Sequence, residues 1–407
     1  MNREVIIPTK IVPGGQALGE LKSGKKVFLW GALPGEEVID YDITKNKSRY
    51  LEAIATRILN NSPWRVTPKD NVYLSTSPWQ IIEYSNELNL KRELVVEIFR
   101  EHHIDIPTPE ILTDNKDYFY RNKMEYSLYW NNETSKIELA FHERGSHRKV
   151  PIITSSIERP EIFNRARAII DELNSRGEQA RKYQSLLLRC NKNGEVSGGL
   201  YENNKPHQKF KNLTDTILGY EYSYSPNGFF QINLPVYEMA LKEIKQHIIT
   251  DKVLDLYAGV GTIGLSVAGG KQLTLVEVDK FAFEEMKKNC EQSIYKDESY
   301  SENKSSAELA QAKCPVAILA KSEEVLEYIE PEQTVILDPP RAGCDKKLID
   351  KLTEIKPRTV IYLSCNPSTQ ARDIKLLEEV YNIKAIKVFN FFPHTPHIEN
   401  LVVLERK

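Results

Sequence analysis

From about Leu234 to the carboxyl terminus, short β-branched runs alternate with helix-length segments. No other feature restricts the fold as strongly. The runs are Val253–Leu256, Leu273–Val276, Val316–Leu319, Val335–Leu337, Val360–Leu363, Ile383–Phe389 and Leu401–Leu404. Strands of this kind joined by helices predict an α/β domain with a doubly wound, Rossmann-like parallel sheet over 235–407. Ligands bind such a sheet at the loops leaving the carboxyl ends of its strands. Two of those loops carry reactive groups. Asp338-Pro339-Pro340-Arg341 presents a carboxylate beside two prolines, and Ser364-Cys365-Asn366-Pro367 presents a thiol.

At 407 residues the chain is expected to hold two or three domains. Residues 1–59 read as short strands between turns at Pro13-Gly14-Gly15, Lys22–Lys26 and Leu33–Glu36, the spacing of a small OB-like β-barrel. Residues 60–234 read as a β-rich central α+β domain. It opens with a polar segment over 60–78, followed by a helix over Ser85–His102 with Leu88, Leu90, Leu94, Val95, Ile98 and Phe99 on its apolar side. Strands follow at Lys123–Trp130, Ile137–His142, Ser185–Cys190 and Gly198–Tyr201, with a helix over Pro160–Ser175 among them. Arg181–Asn212 holds seven Lys/Arg against two acidic residues, with Tyr183, Tyr201 and Phe210 interspersed, which suits an RNA strand or an ordinary solvated face. Lys296–Lys313 reads as a polar exposed insertion.

No apolar run is long enough to span a bilayer, and Met1–Glu4 does not start a signal peptide, so a cytoplasmic protein with no membrane partner is expected. The five cysteines, at 190, 290, 314, 344 and 365, lack paired spacing. This argues against a disulfide framework, a zinc site or an iron–sulfur cluster. No metal site is expected; His394 and His397 lack a third ligand nearby.

After the first strand comes Asp255-Leu256-Tyr257-Ala258-Gly259-Val260-Gly261-Thr262-Ile263-Gly264. Its glycines let the backbone approach a ligand, and Glu277, about 20 residues further on, ends the second strand where a ribose is bound. A glycine loop alone also fits an NAD enzyme, or a turn that binds nothing. Asp255 at the strand end and the Asp338-Pro-Pro loop together favour S-adenosylmethionine.

Phe229-Phe230-Gln231-Ile232-Asn233, the loop 255–264, Leu337–Cys344, Leu363–Pro367 and Phe391–Glu399 occur in this order. With them the chain resembles the RNA uracil-5-methyltransferase family, and Tyr120–Lys123 and Phe141–Gly145 look like signatures of its central domain. The resemblance implies S-adenosylmethionine as cofactor, held by Gln231, Tyr257, Gly259, Gly261, Thr262, Glu277 and Asp338. It implies Cys365 as nucleophile and Glu399 as base, with Phe230, Arg341 and Asn366 toward the substrate. The barrel resembles the RNA-binding TRAM module. Ribosomal RNA of the 23S type is the expected partner, a tRNA T-loop uridine the alternative, and a monomer the expected state. The chain departs from the ribosomal-RNA members that carry an iron–sulfur cluster. Asn71–Gln80 holds no cysteine, and the later ligand position falls at Ser155 or Ser156.

The roles follow from the chemistry. C5 of uracil is a poor nucleophile until a thiolate adds at C6, and the C5 proton must then be removed. Two rival readings remain at this point: an amino-group methyltransferase, whose Asp-Pro-Pro loop needs no thiol, and a non-catalytic RNA-binding protein.

Overall fold

A computed structural model describes residues 4–294 and 314–407. The expected insertion at 296–313 lies outside them.

Strands β1 (Lys10–Ile11), β2 (Ala17–Glu20), β3 (Lys26–Trp30), β4 (Val38–Asn46) and β5 (Tyr50–Ile58) form one sheet in the order β1-β2-β3-β5-β4. Ile6 and Val38 exchange two backbone hydrogen bonds of 2.9 Å, so the free edge of β4 is met by the amino-terminal segment. The polar stretch after β5 is not wholly irregular. It holds a helical turn, α1 (Tyr73–Thr76), and an Arg65–Ile82 bridge.

Helix α2 (Tyr84–Glu101) starts where the side chain of Glu83 accepts the Asn86 N–H. It packs against the C-terminal domain rather than the central one, and β6 (Glu110–Leu112) joins the same domain as a sheet edge. Both fall within the stretch 60–234 expected as one central unit. The central sheet itself is β12-β11-β10-β7-β8-β9. Its strands are β7 (Lys123–Asn131), β8 (Lys136–His142), β9 (Lys149–Pro151), β10 (Ser185–Cys190), β11 (Val196–Glu202) and β12 (Lys205–Pro206). Helix α3 (Pro160–Ser175) covers it with Ile162, Ala166, Ile169, Ile170 and Leu173. A hairpin, β13 (Leu213–Ile217) and β14 (Tyr220–Tyr224), and α4 (Leu234–Gln246) lead into the last domain.

That domain is built on β15 (Lys252–Leu256), β16 (Gln272–Glu277), β17 (Val316–Leu319), β18 (Thr334–Leu337), β19 (Thr359–Ser364), β20 (Tyr381–Phe389) and β21 (Glu399–Arg406). The order is β17-β16-β15-β18-β19-β21-β20-β6. The doubly wound sheet is therefore present, with two differences: β21 runs antiparallel between β19 and β20, and β6 adds an eighth strand. Helices α5 (Thr262–Val267), α6 (Lys280–Ile294), α7 (Lys346–Ile355) and α8 (Pro367–Leu377) flank it, while 3₁₀ turns replace a helix between β17 and β18. β15, β18 and β19 are buried on both faces, as their unbroken apolar runs require. One apolar core runs from Val27 and Leu29 of the amino-terminal sheet through Leu94 and Val95 of α2 to Tyr362 and Val402 of the C-terminal sheet. Among the described residues, no helix is long and apolar enough to cross a membrane.

Candidate active site

The order β16-β15-β18-β19 places four strand ends side by side, bringing Glu277, Asp255, Asp338 and Cys365 to one rim. β21 lies next to β19 with Ser364 opposite Asn400, so its first residue, Glu399, comes to the same rim.

On the first side, the turn after β15 is set by backbone geometry. Gly261 caps α5 at φ +86°, and Tyr257 takes φ +66°, a conformation that only strong local constraint imposes on a tyrosine. A Cβ on Gly264 would come within 2.8 Å of Asp255 Oδ2, which accepts the Gly264 N–H at 2.8 Å. Glu277 accepts three backbone N–H groups, from Gly259 (2.8 Å), Val278 (2.8 Å) and Asp279 (2.6 Å). Its carboxylate is thus fixed in place, with one acceptor position left. Thr262 is buried beneath the turn.

Asp255 and Glu399 are fully or nearly fully buried, and Asp338 stands beside both. Burial pushes Asp338 up to about 7. Burial, then the charges of Asp338 and Glu277, push Asp255 up to about 8. Burial and Asp338 raise Glu399 well above the usual carboxylate range. Asp255 Oδ1 has no hydrogen-bond partner. Burial is the leading cause in all three, and for Asp255 and Glu399 the neighbouring carboxylates add to it, so the cluster holds protons more tightly than exposed carboxylates do.

Cys365 is half-buried. Burial, Glu399 and Asp338 push its thiol up to about 11, against the opposing charge and hydrogen bond of Arg341. Arg341 also meets His397 Nδ1 at 3.2 Å, and burial with the nearby cations lowers His397 to about 4. Asn366, expected toward the substrate, is partly exposed, and both ends of its amide are engaged between the two loops. It caps α8 by accepting the Ser368 N–H, and it donates to the Arg341 carbonyl at 2.8 Å, joining the thiol loop to the Asp-Pro-Pro loop.

Gln231 lies on a loop anchored from the central sheet. Lys123 donates to the carbonyls of Asn227 and Gly228, Arg189 to those of Gly228 and Phe230, and Asn122 to that of Gln231. Phe230 cannot lie over a substrate base as expected. It is 3% exposed and stacked on Tyr224 at 3.9 Å, whereas the adjacent Phe229 is 75% exposed. Arg189 and Tyr183 of the basic stretch are buried as well.

Two features escaped the sequence reading. Gln370, fully buried on α8, donates to the carbonyls of Tyr362 (2.8 Å) and Asn400 (3.0 Å) and accepts from the Asn400 side chain (2.6 Å). It ties the helix behind Cys365 to the strand of Glu399. Glu87 and Lys91, both fully buried on α2, hold the loop before Glu399. Their signal was a pair of charges in phase with Leu94 and Ile98. In place of cysteines, the segments around 70–80 and 155–158 meet through polar side chains. Asp70 accepts from Gln80 (2.7 Å) and from the Ser156 hydroxyl (2.7 Å) and N–H (3.1 Å).

Residues 210–407 match the model of the tRNA (uracil-5-)-methyltransferase family. Over 97% of the chain it is 27% identical to an uncharacterized RNA methyltransferase of Listeria monocytogenes, covering 95% of that protein. A Fusobacterium nucleatum relative, also an uncharacterized RNA methyltransferase, is 28% identical over 98% of this chain and 94% of its own. The fold is similar to that of the Pyrococcus abyssi tRNA (uracil-54, C5)-methyltransferase solved with S-adenosyl-L-homocysteine (TM-score 0.76, 24% identity, 98% of each chain). Residues 210–407 thus match a tRNA (uracil-5-)-methyltransferase domain, within a chain similar along nearly its whole length to RNA methyltransferases.

Proposed function

We propose that this enzyme methylates C5 of a uridine in structured RNA, through a covalent bond from Cys365 to C6. The observation that carries the proposal is a thiol facing the charge of Arg341 and set beside the buried Glu399 and partly buried Asp338 carboxylates on the rim of the sheet. The orphaned Asp255 oxygen and the clustered carboxylates, whose ionisation a nearby positive charge would favour, fit a cationic ligand. S-adenosylmethionine, when bound, supplies an electrophilic methyl on a positively charged sulfur. Gln231, Tyr257, Gly259, Gly261, Thr262, Glu277 and Asp338 would hold it.

Cys365 Sγ, as thiolate, forms a bond to C6 of the uracil, and the C5–C6 π pair moves to make C5 an enolate carbon. Arg341 favours the thiolate. Once C5 carries its new methyl, Glu399 takes the C5 proton. The C5–C6 double bond re-forms and the C6–S bond breaks, returning the thiolate. The raised Glu399 carboxylate is a stronger base than an exposed one. The uridine must leave its stack to reach the rim. Exposed Phe229 and the hollow lined by Lys209, Phe210, Lys211, Asn212, Glu285 and Lys288 suit the neighbouring RNA. The protein acts as a monomer in the cytoplasm.

In a test with RNA and methyl donor, Cys365→Ala gives no product and Glu399→Gln accumulates a covalent protein–RNA species. Full turnover by the Cys365 variant sinks the proposal and favours amino-group chemistry. The overall layout of the chain is shared with a tRNA enzyme. The layout therefore does not choose between 23S ribosomal RNA and the tRNA T-loop. Mass spectrometry of ribosomal and transfer RNA nucleosides from a deletion strain does: the pool that loses 5-methyluridine is the substrate.

A further inference from the structure

Residues 390–398, between β20 and β21, deliver Glu399 to the rim and have no regular structure. Such a segment is ordinarily mobile. Here its polar groups are met by side chains from far away in the sequence. Lys91 Nζ has three donors and three acceptors: Glu87 at 2.9 Å, Asn390 Oδ1 at 2.7 Å and the Phe392 carbonyl at 3.0 Å. Both oxygens of Glu87 accept the His394 N–H, at 3.0 and 2.9 Å. His394 takes φ +59°, and its ring lies against Tyr118 at 4.3 Å with Nε2 on Asp117 at 3.3 Å. Tyr120 donates to the Pro393 carbonyl at 3.0 Å and Trp79 N–H to the His394 carbonyl at 3.0 Å. Pro396 abuts Gly15 of the amino-terminal region, where a Cβ would come within 2.3 Å.

A fully buried ion pair is a poor way to stabilise a fold, because desolvation offsets most of its attraction. Among the described residues, the side-chain hydrogen bonds and ion pairs that Glu87 and Lys91 make outside their own helix go to 390–394, and Lys91 also lies 5.7 Å from the Trp79 ring. We infer that the Glu87–Lys91 pair positions the general base, acting through this segment, and that its loss slows removal of the C5 proton more than any earlier step. The inference rests on the covalent reading above.

The test is single-turnover methylation by the full-length enzyme, following methyl transfer to the adduct and its breakdown to free RNA separately. Lys91→Met, which leaves Glu87 unpaired, and the milder Glu87→Gln, which keeps an acceptor for His394, are compared with Leu94→Ala. Leu94→Ala removes packing from the same helix without touching the loop. Expected for both polar variants is adduct decay slower by about ten-fold or more, with methyl transfer changed by no more than about three-fold. Leu94→Ala lowers the melting temperature without accumulating adduct. In the double variant Glu87→Leu/Lys91→Met, the melting temperature holds while adduct decay stays slow. Adduct accumulation by Glu399→Gln but by neither polar variant overturns the inference alone. No adduct from Glu399→Gln overturns the covalent reading and the inference with it.

Discussion

The nucleophile and the base sit on one rim but are held there in opposite ways. Cys365 is placed by its own neighbourhood. β19 ends, Asn366 caps α8, and Ser364 accepts the Asn366 N–H at 3.1 Å. Glu399 is delivered by an irregular segment whose bonds reach α2, roughly 300 positions earlier in the chain. The first arrangement is local and robust. The second depends on the whole fold being assembled, so distant substitutions reach the base more readily than the thiol.

The largest effect comes from removing either group. Cys365→Ala and Glu399→Gln each reduce turnover by about a thousand-fold or more, but only the second leaves protein bound to RNA on a denaturing gel. The comparison breaks if both variants give the same species. Next is the joint between the two sides. Gln370→Ala strands the Asn400 amide and two carbonyls, costing about 2 kcal/mol in urea unfolding. It lowers turnover beyond what that loss of stability explains, because both loops shift. A smaller effect tests the local side alone. Arg341→Gln removes the one charge favouring the Cys365 thiolate, so alkylation of that thiol by iodoacetamide at pH 8 slows by several-fold, about three to ten.

The mildest test is pH. Asp338 and Asp255 rise from 3.8 to about 7 and about 8 in the folded chain, so the folded state holds protons that the unfolded state releases. Their stabilising contribution is complete below pH 4 and is lost as pH rises through 7 and 8. The melting temperature of the free enzyme falls between pH 5 and 9, and Asp255→Asn flattens that fall. An unchanged slope removes Asp255 from the account.

What could be read in the sequence was what local pattern encodes. The helix over Pro160–Ser175 was expected and found at those residues, and the strand ends carrying Glu277, Asp338 and Cys365 fell where the apolar runs stop. β6 could not be read, because Glu110–Leu112 is too short to show a period. The direction of β21 could not be read either, since an apolar run looks the same whichever way it is paired. Phe229 and Phe230 differ only by tertiary packing, so nothing local in the sequence separates the ring expected toward the substrate from its exposed neighbour. Glu87 and Lys91 look like surface charges until the partners on the 390–394 segment are in place.

The contact of Gly15 with Pro396 has a consequence for how such proteins can be recombined. The amino-terminal sheet region shares a wall with the segment that carries Glu399, and only a residue without a side chain fits there. An amino-terminal sheet region transplanted from a relative brings its own turn to that wall. A transplant with any bulk at position 15 would reach the chemistry through Pro396, however well it binds RNA.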